Sequence, residues 1–341
     1  MKVDKGKVRA PEIGRVWLNS PPLSFHHLRG RVVLVDFWDY TCVNCIRTLP
    51  YLQSWHERYG AKGLTVIGVH TPEFTFAQYE SNLERGIREF GLTYPIVIDN
   101  DFELWKAFAN KCWPTKYLID GEGYLRWVHF GEGAYIECEE TIQELLLEIE
   151  PGISLPPPME PIRAEDRAGA VCYRPSPELY LGHRRGRIGN ESGFKEDQIA
   201  DYTFSGKPEE GFFYAKGKWA STAEYMESVE LSENSLLLRY EASSVNLVMA
   251  SPRGPACDVV IQQDGRPLRT VSATTDTRFL ESGESFIRVQ EPRMYRLVDD
   301  PGFGFHELEL VCPPGLAAFA FTFTSCVDPE RIAASKESLA L

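Results

Sequence analysis

The segment Val32-Val-Leu-Val-Asp-Phe-Trp-Asp-Tyr-Thr-Cys-Val-Asn-Cys45 constrains this chain more than any other. A run of β-branched and aromatic residues ends in Cys42-x-x-Cys45, and an apolar-periodic stretch follows directly. The pattern predicts a buried strand that delivers two cysteines to the first turn of a helix. There, unsatisfied backbone N–H groups and the positive end of the helix dipole favour a thiolate, so Cys42 is expected to titrate below a free thiol. Cys45 comes one turn later, close enough to close a disulfide with it. The arrangement suits reversible thiol–disulfide exchange.

Two cysteines at this spacing also occur as half of a zinc site, which needs two further ligands. The chain has no second Cys-x-x-Cys. Its seven histidines, at 26, 27, 56, 70, 129, 183 and 306, form no H-x3-5-H pattern. A purely structural disulfide, or two unpaired buried thiols, would not require the strand-to-helix setting. Redox chemistry is therefore the expected use, with no bound cofactor beyond the disulfide itself and no metal.

At 341 residues two domains are expected. The composition, 43% hydrophobic and 25% charged, is that of a globular protein. A net charge of −13 argues against nucleic acid or an anionic membrane as partner. Six of the eight cysteines lie outside the motif: Cys112, Cys138, Cys172, Cys257, Cys312 and Cys326. The sequence does not say which of them pair. The stretch from Met1 to Ala10 lacks the apolar core of a signal peptide, and no apolar run approaches about 18 residues. A cytoplasmic location without membrane insertion is expected from these residues, or a periplasmic or other extracytoplasmic one if more chain precedes them.

Residues 15–150 alternate strand-like and helix-like segments, as an α/β domain does. Strands are predicted at 32–38, 64–70, 94–99, 116–119 and 124–130, and helices at 43–59, 75–90, 101–110 and 135–149. Gly121-Glu-Gly123 predicts a tight turn joining the last two strands as an antiparallel hairpin. Pro50 falls inside the first helix, where a kink is expected. A proline-rich stretch, Pro151 to Pro161, reads as a stiff spacer. The expected division is 1–150 for the first domain, 151–200 for the spacer and an irregular wrap, 201–330 for a second domain, and 331–341 for a tail. Beyond residue 201 short strands with period-two alternation dominate: Leu236, Leu238 and Tyr240; His306, Leu308, Leu310 and Cys312; Phe319, Phe321 and Phe323. Turn signals separate them at Asp264-Gly265, Asp300-Pro-Gly302 and Pro313-Pro-Gly315. An antiparallel β-sandwich is predicted, with a helix near 328–338.

The N-terminal half resembles a thioredoxin-fold, TlpA-like protein. The resemblance rests on Val35-Asp-Phe-Trp38 before Cys42-Val-Asn-Cys45, on Pro50, and on Trp113-Pro-Thr115 before a strand. It implies a cis Pro114 facing the active-site disulfide. Gly68-Val-His-Thr-Pro-Glu-Phe74, Tyr94-Pro-Ile-Val-Ile-Asp-Asn100, Gly131-Glu-Gly133 and Pro177-Glu-Leu-Tyr-Leu-Gly182 are further similar to the C-terminal region of DipZ-type cytochrome c biogenesis proteins. That likeness implies a thioredoxin-like α/β domain joined to a jelly-roll β-sandwich resembling a carbohydrate-binding module.

Cys42 is the expected nucleophile and Cys45 the resolving thiol. The resemblance assigns Asp36 to proton exchange with Cys45, for which burial must raise its pKa; the alternative is a solvated strand-end acid. Trp38 and Trp113 either wall the disulfide, where a client would bind, or pack in the core. Asp39 and Arg47 flank the motif with opposite signs. His70 and Glu73 follow the second strand, in a loop or beside the site. Cys112 is either a third thiol or a small buried hydrophobe. Trp219 is the lone tryptophan available as a sugar platform in the second domain. Two functions follow: a thiol–disulfide oxidoreductase acting on protein disulfides with an unidentified electron donor, or a module whose sandwich recruits a glycan or protein partner.

Overall fold

The computed structural model describes residues 1–14, 16–167, 170–230, 234–251 and 254–327. The helix expected near 328–338 and the tail 331–341 lie outside them. The chain forms two compact units, Met1–Asp166 and Arg167–Leu341.

The first unit runs β1 (Trp17–Leu18), β2 (Val32–Trp38), α1 (Val43–Tyr59), β3 (Leu64–His70), α2 (Glu80–Glu89), β4 (Ile96–Ile98), α3 (Glu103–Ala107), β5 (Thr115–Ile119), β6 (Leu125–Phe130) and α4 (Tyr135–Ile149). Its sheet has the order β1-β4-β3-β2-β5-β6. Strands β2, β3 and β4 are parallel, while β5 and β6 form the expected antiparallel hairpin. Every residue of β2 is buried, because it lies at the centre of the sheet with a core on each side. Alternation decides which face each residue serves. Val32, Leu34 and Trp38 join the core beneath α1, α2 and α4, and Val33, Val35 and Phe37 join the opposite one. Asp36 thereby points to the face that carries Cys45.

Helix α1 buries Cys45, Leu49, Leu52, Trp55 and Tyr59 along one stripe, and Pro50 falls on its exposed side. The two-residue strand β1 carries too short a pattern to be seen in sequence.

The division between the units falls at Asp166/Arg167 rather than at residue 150. Pro151–Pro161 is no free spacer. It runs back along the first unit, where Ser154 O accepts from Lys62 Nζ (2.7 Å) and Pro156 O from Gln143 Nε2 (2.8 Å). Arg58 donates to Pro157 O. Met159 N donates to Glu139 (2.9 Å) and Ile162 N to the Tyr51 hydroxyl (2.9 Å). Extended proline-rich chain leaves its carbonyls unpaired, and these long side chains satisfy them.

The second unit contributes β7 (Val171–Cys172), β8 (Leu179–Tyr180), β9 (Ile199–Tyr202), β10 (Phe213–Ser221), β11 (Met226–Ser228), β12 (Ser235–Ala250), β13 (Cys257–Gln263), β14 (Arg266–Pro267), β15 (Thr277–Phe279), β16 (Ser285–Val289), β17 (Arg293–Val311), β18 (Ala317–Thr324) and β19 (Cys326–Val327). Eleven of these form one antiparallel array in which the long strand β12 exchanges β10 for β18 as a neighbour, as a β-sandwich requires. Leu236, Leu238 and Tyr240 are fully buried within it, as the alternation predicts. Strands β8 and β9 belong to this array, so part of the expected wrap is sheet. Asp300-Pro-Gly302 does not end a strand. Gly304 pairs with Ala242 and Asp299 with Ser244, so residues 300–303 bulge out opposite Ser243 and β17 continues. The remaining pair, β7 and β19, is a separate two-stranded sheet joined by a Cys172–Cys326 disulfide. Among the described residues no helix is long and apolar enough to cross a membrane.

The proline-rich segment gives a prediction. Residues 1–166 should unfold in one cooperative thermal transition, and residues 1–150 should melt several degrees lower because the ties to Glu139 and Tyr51 are gone. Equal melting of the two fragments in a calorimeter would contradict the assignment.

Candidate active site

Cys42 is the N-cap of α1, with extended backbone (φ −79°, ψ 115°), and its sulfur accepts the Cys45 N–H at 3.2 Å. Sulfur thus takes the place that a Ser or Asp oxygen fills in most helix caps. The Cys45 sulfur lies 2.6 Å from that of Cys42. Cys42 is partly exposed, and Cys45 is fully buried. Access therefore separates an outer attacking thiol from an inner one.

The turn before Cys42 is held by Asp39, which is fully buried. Its carboxylate accepts from Thr41 N (2.7 Å), Thr41 Oγ1 (2.6 Å) and Glu73 N (2.9 Å), tying the end of β2 to the loop after β3. His70 Nε2 stands 3.6 Å from the same carboxylate, and burial pushes the imidazole down to about 3, so it is neutral. Sequence reading marked Asp39 only as a flanking charge. Its bracing role depends on the Glu73 loop, which is distant in sequence. Arg47 is engaged with Glu132 at 3.4 Å.

These neighbours overturn one expectation. The Cys42 thiol is raised, not lowered, from its ordinary value. Burial is the main cause; hydrogen bonds from the Cys45 side chain and N–H oppose it, and the charges of Glu73 and Asp39 add to it. Desolvation outweighs the helix terminus. Cys45 is raised well above the free-thiol value, first by burial and then by Cys42, with Asp36 contributing.

Asp36 is fully buried and neither carboxylate oxygen has a hydrogen-bond partner among the described residues. Burial raises its pKa to about 7, and the charge of Lys116 opposes that rise. The solvated strand-end alternative falls. Lys116 stands directly across from Asp36 on β5 and is also fully buried. Its ammonium lies 5.4 Å over the Tyr135 ring and 3.5 Å from Gly131 O. On the other side Asp36 is level with Gly68 of β3, where a Cβ would come within 2.9 Å of Trp38 Nε1 and 3.1 Å of the Tyr94 ring. Glycine there leaves the room that the Trp38 and Tyr94 rings occupy. Lys116 was missed in the sequence because it sits in a strand that otherwise reads as apolar. Its meaning comes from the cross-strand register.

The Trp113–Pro114 bond is cis, as the resemblance implied. Thr115 pairs with Phe37, so Pro114 lies level with the end of β2 that leads into the cysteines. Trp38 has no exposed surface and packs in the core, so it offers nothing for a client to touch. Trp113 is partly buried, donates to Thr71 O at 3.0 Å and leans on Trp105. Cys112 neighbours Thr115 Oγ1 at 3.7 Å.

A Cys-x-x-Cys at the N-terminus of a helix, a buried acid beneath it and a cis proline level with it define the thioredoxin-fold class of thiol–disulfide oxidoreductases. Comparison with known proteins agrees. Residues 9–128 match the AhpC/TSA family and residues 176–324 match a thioredoxin-like C-terminal domain. The chain is homologous to the protein DipZ of Mycobacterium bovis, 32% identical over 322 residues, which covers 92% of this chain and 42% of DipZ. It thus spans less than half the length of that relative. The thiol-disulfide oxidoreductase ResA of Halalkalibacterium halodurans is 29% identical over 129 residues, 38% of this chain and 70% of ResA. A solved thiol-disulfide isomerase from Corynebacterium glutamicum is 27% identical with a TM-score of 0.37, covering 40% of this chain and 96% of its own.

The two raised thiols predict an alkylation profile. In the reduced protein the Cys42 iodoacetamide rate should rise with a midpoint above the free-thiol value of about 8.5, and Cys45 should label later still. A Cys42 midpoint below that of free cysteine would restore the dipole-dominated picture.

Proposed function

We propose that Cys42 and Cys45 exchange electrons with protein disulfides and that Asp36 handles the proton of Cys45. The observation that carries this reading is the orphaned, fully buried Asp36 carboxyl, held at about 7 on the same face of the sheet as Cys45. A buried acid without partners is costly to a fold and is typical of sites where a proton must move. Cys42, the accessible thiol, gives its proton to solvent and attacks a client disulfide as its thiolate, and one client sulfur leaves as thiolate and takes up a proton from solvent. Cys45 loses its proton to the Asp36 carboxylate and attacks the Cys42 sulfur, which closes the Cys42–Cys45 disulfide and expels the second client sulfur as thiolate, which is protonated from solvent. One electron pair passes from the dithiol to the client. Lys116 keeps the Asp36 pKa from rising further, so the carboxylate remains available near neutrality.

The second unit is read as a positioning or partner-choosing module. The alternative in which sugar binding is primary loses its expected platform. Trp219 is fully buried and donates its indole N–H to Lys216 O at 2.7 Å.

Insulin reduction with dithiothreitol tests the reading, and Cys42→Ser should abolish turnover. Asp36→Asn should slow turnover and remove the step near pH 7 from its pH profile. It should also stabilise the protein. Because the folded-state pKa lies above the ordinary 3.8, the Asp36 penalty is absent below about pH 4 and grows as pH rises toward 7. At pH 8 the variant should therefore gain up to about 4 kcal/mol in chemical denaturation, and little at pH 4. Equal effects at both pH values would contradict a buried, raised Asp36. Lys116→Met should move the same step to higher pH, and an unmoved step would separate Lys116 from the site.

A further inference from the structure

We infer that Lys116 and His129 carry the Asp36 proton from inside the sheet to solvent, which resets the carboxylate between turnovers. The inference rests on the proton role proposed for Asp36 above.

Asp36 of β2 is paired with Lys116 of β5, and Lys116 is paired with His129 of β6. Residues level on neighbouring strands project from the same face with Cβ atoms about 5 Å apart. Leu118 and Trp127, two residues along from Lys116 and His129, belong to the core that holds Cys45. The three titratable side chains therefore form a row on the Cys45 face. On the other side of Asp36 the same level is taken by Gly68 of β3 and Ile96 of β4, neither of which can hold a proton. The row leads one way only. It also runs from dry to wet: Asp36 and Lys116 are fully buried, while His129, on the last strand in the sheet order, is partly exposed.

Two consecutive carbonyls hold the outer pair. Lys116 Nζ lies 3.5 Å from Gly131 O, and His129 Nε2 lies 3.0 Å from Glu132 O. A carbonyl only accepts, so Nε2 carries the ring hydrogen and Nδ1 is left as the base. Burial lowers the His129 pKa; the Glu132 carbonyl opposes this, Lys116 and the Met1 amine lower it further, and Glu137 of α4 raises it. The net shift is downward, and the imidazole is neutral near pH 7. The other titratable groups beside the row are Cys138 and Tyr135 of α4, and Tyr94. Burial raises all three, so they keep their own protons near neutrality and accept none from Asp36. Cys45 is the source of the proton. His129 is thus the vacant base of the row.

The transfer needs no reagent but water. The Lys116 ammonium passes one proton to His129 Nδ1 and takes one from the Asp36 carboxyl, swinging its flexible four-carbon stem between the two neighbours. Lys116 ends as it began, Asp36 is again a carboxylate, and the His129 imidazolium releases a proton to water. One proton leaves the sheet for each one that Cys45 gives up.

The test is carbon-13 relaxation dispersion of the Asp36 carboxyl in the full reduced chain, recorded at the midpoint of its titration. It reads how fast the proton comes and goes, separately from where the group titrates. His129→Gln keeps an N–H donor for Glu132 O and is uncharged, as the neutral imidazole is. Its Asp36 midpoint should therefore stay near 7 while exchange slows about a hundredfold, the lower end of what a positioned proton carrier supplies. A role in structure alone would leave the exchange rate untouched. His129→Ala should be slowed likewise, and imidazole added to the solution should restore its exchange, because the vacated site lies at a partly exposed edge. Unslowed exchange in His129→Gln overturns the inference, and so does a His129→Ala chain that imidazole fails to quicken. In either case a wild-type midpoint near 7 leaves the proton role of Asp36 standing and removes only the relay. A wild-type midpoint close to 4 means that the proton role itself has failed.

Discussion

The burial of one carboxyl group sets the terms for the first unit. Asp36 sits in the central strand of a sheet covered on both faces, where an ionised acid loses its hydration and finds no hydrogen bond in return among the described residues. Its neighbours fit around that problem. Gly68, level with it on β3, leaves room for the Trp38 and Tyr94 rings, and Lys116 supplies one opposing charge across the strand pair. A hydrophobic residue in place of Asp36 would serve the core better, so its presence points to a use other than stability.

The same balance between solvation and charge governs the two thiols. A helix N-terminus and a capping N–H favour a Cys42 thiolate, but desolvation and the charges of Glu73 and Asp39 outweigh them. Asp39 is needed where it is because it pins Thr41 and Glu73 and so fixes the turn that presents Cys42. Positioning of the nucleophile and acidity of the nucleophile are thus set against each other by one residue. Cys45 lies deeper and is raised further, which keeps attack and resolution on separate sulfurs.

Much of this was legible in the sequence. Helices α1 and α4, the β5–β6 hairpin and strands β2 and β3 follow from periodicity and turn chemistry, because each is a local pattern of seventeen residues or fewer. What the sequence hid was non-local. Lys116 gains its meaning from a cross-strand register, and Asp39 from a loop 34 residues away. Pro151–Pro161 reads as a spacer by composition, yet the side chains of Arg58, Lys62 and Gln143 satisfy its carbonyls and hold it to the first unit. Asp300-Pro-Gly302 reads as a strand end, yet flanking pairs on both sides carry the strand through a bulge. Trp219 reads as a candidate platform, yet the sandwich uses it as core.

The central claim is that Asp36 exchanges a proton near neutrality from inside the sheet. The most direct measurement is a carbon-13 NMR titration of the Asp36 carboxyl in the reduced protein, assigned by comparison with Asp36→Asn. A midpoint near 7, well above the ordinary 3.8, is the predicted result. A midpoint close to 4, the value of an exposed aspartate, would mean that the carboxyl is solvated and takes no part in moving the Cys45 proton.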